Sequence, residues 1–163
     1  MRREAVWSSS ENPWRSECTL VSDPESEAER TEMRECLLAI LVTLPRTLEI
    51  PVRLHYLEEY RYAEIARTLG IPEGTVRSDA HSGLLKLRKY LQVQAFLAQQ
   101  QDVQALLASL LSEHQLSVAH LHLCDNLNLE QIAREMHREL EQVKGDLYRG
   151  IEIVWKHIEQ QRK

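Results

Sequence analysis

Apolar residues along this chain recur every three to four positions, the period of a helix that buries one face. Cys36, Leu37, Ile40, Leu41 and Leu44 share such a face in a helix opening near Glu27, and Pro45 ends the run. A second helix covers roughly Leu48 to Tyr60. Pro51 is tolerable only in a first turn, which moves the regular part of that helix to Pro51. A third, short helix runs from about Tyr62 to Leu69, and Gly70 is placed to close it in a left-handed conformation. After Ile71-Pro72-Glu73-Gly74 a long helix reaches about Leu91. Its stripe Val76, Ala80, Leu84, Leu87, Leu91 is spaced 4, 4, 3, 4.

Residues 1–26 show no such period and read as a flexible arm, in which Trp7 and Trp14 suit either local packing or a docking anchor. Residues 92–101, rich in glutamine, read as a connector that could itself be helical. Beyond it the pattern returns. Shifting residues 54–91 by 67 gives nine identical pairs in 38, among them Ile65-Ala66-Arg67 with Ile132-Ala133-Arg134, and Gly83 with Gly150. Ordinary composition would give about two or three. The stripe recurs as Val143, Leu147, Ile151, Val154, Ile158. Two amphipathic helices alone explain the stripe but not Ile-Ala-Arg, so residues 102–163 read as a duplicate of the helical unit in 27–91.

Composition fits an all-α chain: Leu, Glu, Arg, Gln and Ala abound, with five Gly, five Pro and one Phe. No apolar run is long enough for a bilayer and no signal-peptide core follows the first residues, so a cytoplasmic protein without a membrane partner is expected. Cys18, Cys36 and Cys124 suit neither paired disulfides nor a metal knuckle. The net charge of -5 argues against a generally basic nucleic-acid binder. Its distribution changes that picture. Residues 61–91 alone are positive, at +3, while 1–38 carry -4, 39–60 carry -1, 92–127 carry -3 and 128–163 are neutral. A local basic face matters more for DNA than the sign of the whole chain.

That basic stretch contains Tyr62-Ala63-Glu64-Ile65-Ala66-Arg67-Thr68-Leu69-Gly70-Ile71-Pro72-Glu73-Gly74-Thr75-Val76-Arg77-Ser78, which has the form of a helix-turn-helix. Ala66 is small where two helices cross, Gly70 permits the turn, and Ile65, Leu69, Ile71 and Val76 fill the angle. Thr75, Ser78, His81 and Ser82 are left as base-edge candidates on the outer face, with Arg77, Lys86 and Arg88 as phosphate contacts. About three phosphate contacts would give a log-log salt slope of about -3, a weak binder in isolation.

From about Asp23 to Leu91 the chain resembles the C-terminal DNA-binding region, region 4, of sigma-70-type sigma factors, especially the extracytoplasmic-function group. The resemblance rests on the acidic lead-in Asp23-Pro24-Glu25-Ser26-Glu27, on Leu44-Pro45, on Tyr56-Leu57-Glu58, and on Tyr62 through Arg77 with His81. It implies a helix-turn-helix relative of winged-helix domains, without a wing, that reads a minus-35 promoter element and touches the flap of RNA polymerase. Promoter DNA and the polymerase core are thus the expected partners. Two departures qualify it. The domain that reads the minus-10 element has no counterpart, so a separate chain supplying sigma region 2 is a further expected partner. Basic residues common in the family are replaced by Asp79, Ser82 and Leu84.

The second copy is further from the family. Its turn, Met136-His137-Arg138-Glu139-Leu140-Glu141, lacks Gly and Pro, and acids interleave with Lys144 and Arg149, which are expected to face outward. Such a face reads DNA poorly, so Ile153 and Trp155 there serve protein contacts or local packing. His120, His122 and Cys124 alternate by two and cannot converge on a metal from one helix. No catalytic triad order, phosphate loop or convergent carboxylate pair appears, so neither an enzyme nor a cofactor is expected. Two other readings stand beside the sigma-like regulator. One is an adaptor or anti-sigma-like module that binds polymerase or a sigma factor without touching DNA, which the acidic balance favours. The other is a dimeric helix-turn-helix repressor.

Overall fold

The computed structural model describes residues 27–163, without the side chains of residues 27–30, 32, 33 and 36. The predicted arm with Trp7, Trp14 and Cys18, and the acidic lead-in up to Ser26, lie outside the described residues, as does the Cys36 side chain. The described residues are all-α. The α-helices are α1 (Glu27–Leu41), α2 (Arg46–Val52), α3 (Tyr62–Leu69), α4 (Glu73–Leu97), α5 (Val103–Leu110), α6 (Glu113–Ala119), α7 (Leu129–Glu135) and α8 (Leu140–Gln161). Wide π turns extend α2 over Arg53–Leu57 and α6 over His120–Cys124. No described helix is long and apolar enough to cross a membrane.

The described residues form two compact units, one from 27–42 with 47–84, the other from 43–46 with 85–163. The division falls inside α4, which continues to Leu97 through residues expected to be a connector. In the first unit Ile65, Val76 and Ala80 lose nearly all contact with solvent. Gly83 lets α4 lie close to α2, since a Cβ there would stand 2.5 Å from Val52 Cγ2 and 3.3 Å from the Leu48 carbonyl oxygen. In the second unit α8 packs on α5, α6 and α7. Its stripe Val143, Leu147, Ile151, Val154, Ile158 is buried with Leu107, Val118 and Ile132. Full burial of such a side chain contributes about 1.5–3 kcal/mol.

The predicted second helix differs in its limits and in its proline. It begins at Arg46, carries Pro51 as a buried residue inside the helix, and widens into the π turn after Val52. Such a turn does not require a proline, because the π turn at His120–Cys124 follows a helix without one. Both turns share a histidine. The Nδ1–H of His55 donates to the Tyr60 carbonyl (2.9 Å) and that of His122 to the Leu127 carbonyl (2.8 Å). The Tyr60 and Leu127 amides donate in turn to the carbonyls of Leu54 and Leu121, and Glu59 and Asn126 both take positive φ. A donor reaching five residues along the chain thus holds each wide turn shut. The whole series α2, π turn, α3, α4 begins 67 residues before the series α6, π turn, α7, α8.

Candidate nucleic-acid interface

The bend between α3 and α4 follows from its residues. The Arg61 amide donates to Glu64 Oε2 at 2.8 Å, which satisfies one free donor at the start of α3. Gly70 closes α3 with φ 67°, and the Ile71 amide donates back to the Ala66 carbonyl at 3.2 Å. This six-residue closure requires the left-handed conformation that glycine adopts without a Cβ penalty. Pro72 then accepts from the amides of Thr75 and Val76 (3.0 and 3.2 Å) and starts α4. Ile65 and Val76 fill the angle, while Leu69 and Ile71 are half-buried.

Thr75, Arg77, Ser78 and His81 are exposed along the first turns of α4, and Ser82 is half-buried. Arg77 keeps 66% of its side chain accessible. Its guanidinium donates to Glu73 at 2.9 Å and lies 5.2 Å from the centre of the Tyr62 ring. Tyr62 stacks on His55 at 3.9 Å, the same histidine that closes the π turn. A line of contacts therefore runs from the loop before α3 to the outward guanidinium. The exposed Glu73 pair is worth about 0.2–1 kcal/mol, so a phosphate can displace it. Sequence reasoning missed His55, although its identity with His122 across the repeat was the available signal.

Lys86 and Arg88 lie beyond the division of the chain, in the second unit. Arg88 is exposed, whereas Lys86 is half-buried with its ammonium 5.5 Å from the centre of the Tyr148 ring. The structure thus groups Thr75, Arg77, Ser78, His81 and Ser82 in one unit and engages Lys86 in the other.

The corresponding face of α8 is different. Lys144, expected to face outward, is 5% exposed and pairs with Glu141 at 3.4 Å; Arg149 does face solvent. A lysine stem can be buried while its ammonium finds a carboxylate at the edge, which periodicity does not reveal. Asp146 is buried between Arg138 and Arg149. Tyr148 is 5% exposed and its hydroxyl shares a 2.6 Å hydrogen bond with the Thr43 hydroxyl; burial pushes its ionisation well above the ordinary range. Trp155 donates from its indole nitrogen to Gln92 Oε1 at 2.6 Å, so its partner lies within its own unit. His122 is occupied by the Leu127 carbonyl and by the Tyr90 hydroxyl at 3.0 Å, and burial pushes its pKa down. No group of metal-binding side chains occurs among the described residues.

A solvent-facing second helix, set by a glycine-closed turn, has the form of a helix-turn-helix. Residues 34–87 match the family model described as Sigma-70, region 4. No curated protein and no solved structure matches the chain.

Proposed function

We propose that this protein acts in transcription initiation with RNA polymerase, as a sigma-factor-like regulator of the extracytoplasmic-function kind. In this reading α4 enters the major groove of a minus-35-type promoter element. Thr75, Ser78, His81 and Ser82 meet base edges, while Arg77 and Arg88 hold phosphates. The observation that carries it is the open side of α4 within the region 4 match, with Arg77 propped outward by Tyr62 and Glu73. The polymerase flap is the second partner, and a separate chain supplies the part of a sigma factor that reads the minus-10 element. Residues 102–163 are a second region 4-like unit that has left DNA reading for protein packing. The site of action is the cytoplasm.

The test is promoter-fragment binding at low salt with Arg77→Glu. Losing one phosphate contact and placing a carboxylate in its stead weakens binding at least tenfold and makes the salt slope shallower by about 0.9. Unchanged affinity refutes the assignment.

A further inference from the structure

Part of the α8 surface that corresponds to the open face of α4 is occupied, at Tyr148 and Trp155, and what occupies it is chemically specific. Lys89, on α4, donates from Nζ to Glu152 Oε2 at 2.7 Å and lies 4.2 Å from the centre of the Trp155 ring. Lys86 lies over Tyr148, and Gln92 accepts from Trp155. All of these contacts fall inside the second unit. Shifted by 67 residues, Tyr148 stands at the place of His81 and Trp155 at that of Arg88. The residues that would read or hold DNA in one copy have thus become aromatic holders of cations in the other.

The cations they hold are not arbitrary. Thr75, Ser78, Ser82, Lys86 and Lys89 follow one another at spacings of 3, 4, 4 and 3 along α4. Such spacing places them on one side of a helix. The polar stripe proposed to face DNA therefore continues into two lysines, each of which would add a phosphate contact. Only 24% of the Lys89 side chain is accessible, and its ammonium is matched by a carboxylate and a ring face.

We propose that the second unit masks the basic end of the α4 stripe: Glu152, Trp155 and Tyr148 withhold Lys89 and Lys86 from DNA phosphates, so the chain binds DNA below its full strength until that grip is released. The inference rests on the DNA-binding reading above. A phosphate and Glu152 compete for the same ammonium, so releasing the grip raises affinity through charge and leaves the base-edge residues untouched.

The experiment is fluorescence anisotropy of the full chain with a labelled mixed-sequence duplex across a salt series, with Glu152→Gln, Arg77→Glu and Glu130→Gln compared. Glu130 is an exposed acid on α7, so its replacement makes the same change in net charge away from the lysines. The expected result is several-fold tighter binding by Glu152→Gln, with a slope steeper by about 0.9 for one phosphate gained. Glu130→Gln should stay close to the unchanged protein. If Glu152→Gln and Glu130→Gln behave alike while Arg77→Glu weakens binding, the masking is wrong and the DNA reading stands. If Arg77→Glu changes nothing, the DNA reading fails and the masking with it. A second measurement does not depend on DNA: amine acylation followed by peptide mass spectrometry. It should modify Lys89 more slowly than the exposed Lys163, which has no contact with Glu152 (Lys156 pairs with the same carboxylate at 3.9 Å), and Glu152→Gln should narrow the difference. Equal rates in the unchanged protein overturn the proposal.

Discussion

Replacing Gly83 with alanine adds one methyl group at the point where α4 lies against α2. That methyl would sit 2.5 Å from Val52 Cγ2, 3.3 Å from the Leu48 carbonyl oxygen and 3.5 Å from Leu48 Cβ. Carbon atoms rest at about 3.5–4.0 Å, so roughly 1 Å must be found. Val52 is 2% exposed and branched at Cβ, and in a helix such a side chain has one strongly preferred rotamer. The Leu48 oxygen is backbone. Neither neighbour can move alone, and the helices must part. Overpacking of this kind costs about 1–3 kcal/mol. Alanine returns up to about 1 kcal/mol of helix propensity, so the net effect is destabilisation by up to about 2 kcal/mol. Gly150, 67 residues later, provides the internal comparison: a Cβ there meets Leu111 Cδ1 at 3.5 Å, an ordinary contact. Gly150→Ala should keep most of the propensity gain. Gly74 has nothing within 4 Å, and Gly74→Ala should also stabilise. Urea unfolding followed by far-UV circular dichroism ranks the three, and about 1 kcal/mol corresponds to about 2–4 °C in Tm for a chain of this size. A Gly83→Ala protein as stable as Gly150→Ala would refute the close approach of α2 and α4.

Other consequences are as direct. Thr43→Val leaves the buried Tyr148 hydroxyl without its 2.6 Å partner, at a cost of about 1–3 kcal/mol. The Thr43→Val, Tyr148→Phe double variant removes both ends of the hydrogen bond and should recover part of that loss in the same titration. His122 has a pKa lowered from 6.5 by burial, so the unfolded chain binds its proton first on acidification. The stability it confers is present above pH 6.5 and is lost as the pH falls through the depressed value. His122→Asn should flatten the stability-against-pH curve in that window, and an unchanged slope would show that the ring is not held as described.

The local elements were legible in the chain because their causes are local. Gly70 and Pro72 mark the turn by backbone chemistry, and the stripe from Val76 to Leu87 marks the buried side of α4 by period alone. The 67-residue offset was visible in nine identities, and the helices and π turns begin at that same offset. The open side of the second helix, with Thr75, Arg77, Ser78 and His81, could likewise be named, since it is what remains when the apolar stripe is removed. The tertiary structure decided what covers the ambiguous side chains. Lysine, tyrosine and tryptophan each carry an apolar body and a polar tip, and both buried and exposed positions satisfy them. The hydrogen bond that holds the buried Tyr148 and the capture of Lys89 by Glu152 and Trp155 depend on partners 63 to 105 residues away in sequence. Periodicity records which face of a helix avoids water. It does not record which distant segment arrives to take the place of that water.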